Sequence, residues 1–167
     1  MIRLYLVRHA ADEDRRGARR VKRRARRRFR RMADAFAQLE EPIELICAGS
    51  KSHVQETAAM LARSLGQRDV AVLEELSSHA RAAALLRVLA AHIGGSEGVV
   101  LVGNGRQLHE LLRVLGIEKN EIRLRKGSIV RIDVDALPRP RLCIPRFRVR
   151  PSAADPADAF VGMRRAS

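Results

Sequence analysis

Three short segments of this 167-residue sequence place chemistry-capable side chains directly after apolar runs: Leu6-Val7-Arg8-His9-Ala10, the stretch from Gly49 to Ala58, and Val102-Gly103-Asn104-Gly105. An imidazole such as His9 offers a nitrogen lone pair near neutral pH and can attack an electrophilic centre such as phosphorus. A guanidinium such as Arg8 holds anionic oxygens through a planar fork of N–H groups. The second segment reads Gly49-Ser50-Lys51-Ser52-His53-Val54-Gln55-Glu56-Thr57-Ala58. Its His53 adds a second imidazole, and Ser50 and Lys51 lie within reach of the same place, although a solvated loop charge is the simpler reading of Lys51. Gly103-Asn104-Gly105 runs from a strand toward a helix, where glycine-flanked backbone N–H groups favour anions. Each segment alone is a weak signal, and together these residue types suit the binding of an anion. A general acid is not singled out: Asp12, Glu74 and Glu75 are possible by position, and His79 stands in the loop region that follows them.

Residues that follow strands converge when the strands lie parallel, because ligands of open α/β sheets bind beyond the carboxyl ends of the strands. The apolar runs 2–7, 43–48 and 98–102 read as buried strands, with further strands at 70–73, 129–134 and 142–149. Helices are expected at 52–65, 80–93 and 107–115, with Gly66, Gly94 and Gly116 just past their ends, where a left-handed residue is wanted. Val21, Ala25, Phe29, Met32, Phe36 and Leu39 form one helical stripe. The alternation predicts an α/β fold of three layers, a central, mostly parallel sheet with helices on both faces. Residues 1–150 form the expected domain and 151–167 a C-terminal tail. Cys47 and Cys143 sit in apolar runs and read as buried structural thiols.

In order and spacing the three segments resemble the histidine phosphatase superfamily over roughly residues 1–135. That family opens with a strand ending in Arg-His-Gly. It continues with Ser-Pro-x-x-Arg-Ala-x-Gln-Thr-Ala at the start of a helix, and closes with a strand running into Gly-His or Ser-His. Here Ala10 stands for the glycine, Thr57-Ala58 is kept, His53 occupies the place of the phosphate-binding arginine, and Asn104 that of the second histidine. The short length and the opening Leu4-Tyr5-Leu6-Val7-Arg8-His9 are most similar to the SixA branch of phosphohistidine phosphatases. The Arg-Pro-Leu-Thr-x-x-Gly of that branch would fall at Lys22 to Arg28, inside an arginine run.

The resemblance implies that His9 is the nucleophile, passing through phosphohistidine, and that Arg8, His53, Asn104 and Gly105 surround the phosphoryl oxygens. It implies no metal and no cofactor, and a phosphohistidine protein or a small phosphorylated molecule as substrate. His53 offers no guanidinium fork, and Asn104 brings one amide donor without charge. Loss of one preorganised donor typically lowers such a rate by about 10²- to 10³-fold, so impaired or lost activity is expected. The alternative is a non-catalytic module that binds a phosphorylated ligand or polyanion.

The sequence carries 33 Lys plus Arg against 19 Asp plus Glu, a formal charge of +14, and only four of the cations are Lys. Such a balance speaks to association with polyanions rather than to fold. Arg15 to Arg31 holds twelve basic residues in seventeen. It reads as one helix, in which Arg19, Arg23, Arg27 and Arg31 stack like charges at four-residue spacing. Weak polyanion binding through this segment is expected, indifferent to base sequence because aromatic stacking residues make up only 3% of the chain. With no spanning hydrophobic run and no secretory opening, a cytoplasmic protein is expected.

Overall fold

The structure is a computed structural model that describes residues 1–77, 81–118, 121–149 and 160–162. Its first strand, β1 (Ile2–Arg8), is followed by a hairpin of β2 (Asp12–Arg15) and β3 (Ala18–Val21), then helix α1 (Arg23–Ala37) and strand β4 (Leu45–Ala48). Helix α2 (Ser52–Ser64), strand β5 (Ala71–Val72), a short 3-10 turn at Glu74–Leu76 and helix α3 (Ala82–His92) come next. Strand β6 (Gly98–Gly103), helix α4 (Gly105–Val114) and strands β7 (Ile129–Val134), β8 (Cys143–Val149) and β9 (Phe160–Gly162) complete the order. One sheet runs β5-β4-β6-β1-β7-β8-β9. Its first four strands are parallel and β7, β8 and β9 continue antiparallel. β9 lies in the stretch expected as a tail and adds an edge strand to β8, while 151–159 and 163–167 lie outside the described residues.

The middle of the sheet reads as uninterrupted apolar sequence because helices cover both of its faces. Along β1 the side chains alternate: Leu4 and Leu6 pack with Leu85, Leu86 and Leu89 of α3 and Leu108, Leu111 and Leu112 of α4. Tyr5 and Val7 face Phe29, Met32 and Phe36 of α1 and Val54, Ala58 and Leu61 of α2. Phe36 meets Tyr5 edge-on at 5.5 Å between ring centroids, fixing α1 against the sheet. Gly66, Gly94 and Gly116 have φ of 69°, 53° and 76°, the left-handed ends expected of α2, α3 and α4. Cys47 is buried and Cys143 half-buried, and both are free thiols. No helix among the described residues is long and apolar enough to cross a membrane.

The arginine run departs from its expected form. It is not one helix, because residues 12–21 turn back on themselves before α1 begins. Arg16 and Gly17 both have positive φ, 54° and 79°, as a tight two-residue hairpin turn requires. The turn sets Glu13 opposite Arg20 and Asp14 opposite Arg19. Opposite charges facing each other across a ladder are favourable where the helical stack would have been repulsive. Val21, the first member of the expected stripe, therefore belongs to β3 and is buried beside the helix rather than within it.

Candidate active site

The three segments meet at the carboxyl ends of the parallel strands, stitched by backbone and one hydroxyl. His9 N–H donates to the Gly103 carbonyl at 3.0 Å, and Gly127 N–H reaches the carbonyls of Arg8 and His9 at 2.9 and 3.1 Å. Ala10 N–H donates to Thr57 Oγ1 at 3.1 Å, and the same hydroxyl donates to the His53 carbonyl at 2.8 Å. Thr57, fully buried in the first turns of α2, thus holds the loop after β1 in register with His53.

His9 and His53 face each other on the α1/α2 side, their rings 4.5 Å apart between centroids and nearly perpendicular. Both are buried. His9 Nδ1 lies 2.8 Å from the Ala10 carbonyl. A carbonyl can only accept, so Nδ1 carries the proton and the lone pair is on Nε2. Burial pushes the His9 pKa down to about 4, with His53 and Lys126 adding to that and the Ala10 carbonyl and Asp12 opposing it. The imidazole is therefore neutral and nucleophilic at pH 7. Burial also lowers the pKa of His53, and its Nδ1 is buried with no hydrogen-bond partner among the described residues.

Behind His9 lies a charged cluster that the sequence left unassigned. Asp12 Oδ1 is 3.7 Å from His9 Nδ1 and accepts from Lys126 Nζ at 2.6 Å, and Asp12 also pairs with Arg19. Burial alone would raise the Asp12 pKa, but its hydrogen bonds to Lys126 and Arg19 hold it well below the usual carboxylate range. Asp12 is thus ionised and has no proton to give, which removes it from the general-acid candidates. Lys126 also lines a 230 Å³ cavity with Ala10, Ala11, Arg28 and Phe29. The only sequence signal for Lys126 is its place in a polar loop before β7.

The other expected residues take separate places. Asn104 caps α4, its Oδ1 accepting from Gln107 N–H at 2.9 Å, so its carbonyl is committed to the helix end. The helix starts at Gly105, earlier than expected, because this cap satisfies its first turn. Arg8 continues the opposite face of β1 from His9: its Nη1 donates to the Leu124 carbonyl at 2.9 Å. Its guanidinium lies across Gly105, where a Cβ would come within 2.6 Å of Arg8 Nε and the guanidinium would have to shift to admit it. His9 with His53 and Arg8 with Gly105 are therefore two neighbouring pairs rather than one ring of side chains. Lys51 is exposed, and Ser50 donates to Glu74 at 2.9 Å on the surface. Glu75 is half-buried, and His79 lies outside the described residues. No cluster of three or more metal-ligating side chains occurs among the described residues.

No protein-family model matches the sequence, and no curated protein matches it. Solved structures do. The histidine phosphatase SixA in complex with tungstate is similar at a TM-score of 0.74 and 16% identity, over 90% of this chain and 97% of that one. A SixA structure from Nakamurella multipartitia is similar at 0.73 and 16% identity, covering 91% and 97%. A mycobacterial glucosyl-3-phosphoglycerate phosphatase is similar at 0.68 and 16% identity, covering 87% and 97%. These proteins span nearly the whole of both chains at low identity, and the chain carries the α/β fold of the histidine phosphatases, with His9 at the carboxyl end of its first strand.

Proposed function

We propose that this protein is a SixA-like phosphohydrolase in which the Nε2 of His9 takes up a phosphoryl group, with activity reduced by the replacements at His53 and Asn104. The observation that carries this reading is His9 itself: buried, neutral, and fixed in the Nδ1–H tautomer by the Ala10 carbonyl. Nε2 attacks phosphorus, the bond to the leaving group breaks with its electron pair, and that group takes a proton from solvent water. Water then attacks the phosphorus of phospho-His9, releasing phosphate and returning the lone pair to Nε2. As the imidazole gains positive charge, the Asp12 carboxylate 3.7 Å from Nδ1 offsets it.

The phosphoryl oxygens need cations, and the resemblance assigns that work to Arg8 together with the positions of His53, Asn104 and Gly105. Burial disfavours the charged form of His53 and Asn104 is partly spent on a cap, while Lys126 is held by Asp12 on the Nδ1 side of the imidazole. Arg8 contributes by leaving the Leu124 carbonyl. Substrates are phosphohistidine proteins or small phosphorylated molecules, as the names of the similar phosphatases suggest.

A second reading, a phosphate-holding module without turnover, draws support from the same two replacements. Phosphatase assays on an aryl phosphate and on phosphohistidine protein separate the readings. Turnover lost in His9→Ala supports the enzyme; no turnover in the wild type, with phosphate-dependent thermal stabilisation, supports the binder. His53→Arg with Asn104→His is expected to raise turnover by at least about tenfold, since each restores an oxyanion donor.

A further inference from the structure

A cleft of about 560 Å³ opens along α4, on the side of the sheet opposite the His9–His53 pair. Arg106 and Arg113 line it from α4, Arg123 from the following loop, and Arg8 from the end of β1, against Glu110 and Glu118. Four guanidiniums outnumber two carboxylates in the lining, where Arg113 and Glu110 pair with each other at 2.7 Å. Arg8 forms no ion pair with the described residues, and its Nε is buried with no hydrogen-bond partner among them. Burial lowers its pKa, and the neutral Leu124 carbonyl is a weak partner for a half-buried cation. A charge placed this way is under-compensated, and an anion entering the cleft corrects it.

We propose that this cleft is a binding site for a small linear oligophosphate, an anion of two or three linked phosphoryl groups. The shape of the charge argues for a linear ligand: Arg106 and Arg113 lie two helical turns apart, about 10 Å along α4. A single phosphate would meet only one end. The lining holds no Phe, Tyr or Trp, so no stacking platform is offered to a nucleobase and the phosphate chain is itself the recognised feature. The volume lies within the usual range for small-ligand pockets. The cleft shares Arg8 and Gly105 with the phosphate-binding set proposed for His9, but its other cations, Arg106, Arg113 and Arg123, take no part in that set.

The test is calorimetric titration of the full chain with tripolyphosphate and, separately, with inorganic phosphate at constant ionic strength. Two variants removing equal charge are compared: Arg106, Arg113 and Arg123→Gln in the cleft, and Arg24, Arg27 and Arg31→Gln on the exposed face of α1. All six side chains are exposed, so both variants are expected to fold. Tripolyphosphate is expected to bind the wild type at least about tenfold more tightly than phosphate and to lose at least about tenfold in the cleft variant, the scale of a lost charge-assisted hydrogen bond. The α1 variant and His9→Ala are expected to stay within about twofold of the wild type. Equal losses in both triple variants, or no preference over phosphate, would reduce the effect to net charge and overturn the site. A loss confined to His9→Ala would move the ligand to the imidazole pocket and overturn it equally, whatever the turnover assays give.

Discussion

The His9 imidazole is kept neutral by its surroundings, and this has a consequence for stability. In the unfolded chain a histidine titrates near 6.5, whereas folded His9 titrates near 4, mainly because burial disfavours its cation. Protons therefore bind the unfolded state more readily, so the stabilising contribution is complete above pH 6.5 and is lost as pH falls toward 4. His53 is shifted in the same direction. The urea midpoint is expected to fall across that window, and to fall less in the double variant His9→Gln, His53→Gln; an unchanged slope in the variant would contradict this placement. At Thr57 the stake is a single hydroxyl. Thr57→Val leaves the Ala10 N–H buried without its acceptor and should lower stability by about 1–3 kcal/mol in urea denaturation.

Among the elements, the hairpin β2–β3 links the arginine run to the site. Glu56 on α2 accepts from Arg20 at 3.1 Å, from Val21 N–H at 3.2 Å and from Arg26 at 2.9 Å, tying hairpin and α1 to the helix that carries His53. Because both arginines are about half exposed, Glu56→Gln should cost only about 1 kcal/mol. The hairpin is legible in hindsight from Asp12-Glu13-Asp14 mirrored by Arg19-Arg20 across Arg16-Gly17. Helical periodicity from Val21 onward outweighs that signal, since α1 does begin two residues later. Arg19 serves Asp12, whereas Arg23, Arg24, Arg27, Arg28, Arg30 and Arg31 are exposed on α1. Replacing Arg23, Arg27 and Arg30 by Gln is expected to flatten the salt dependence of duplex DNA binding, by about 0.9 in log–log slope for each phosphate no longer neutralised. An unchanged slope would make α1 a solvated face.

For the whole molecule, the layer order is legible in the sequence because strands and helices alternate with distinct periods, and the C-terminal glycines mark helix ends. The positions of His9, His53 and Asn104 at the carboxyl ends of the strands are legible from the strand-loop pattern. Side-chain direction is not: that Arg8 turns toward α4 while His9 turns toward α2 follows from the pleat of β1 and the close approach at Gly105. Lys126 is invisible in the sequence because its partner Asp12 is 114 residues away in the chain, joined only by the fold. The central claim is that His9 carries phosphoryl groups on Nε2. It is tested most directly by intact-mass measurement at neutral pH after incubation with phosphoramidate, comparing wild type with His9→Ala. A gain of one phosphoryl group in the wild type, mapped to His9 by fragmentation and absent from the variant, is the expected result. No adduct in the wild type, or an adduct that persists in His9→Ala, would contradict a nucleophilic His9.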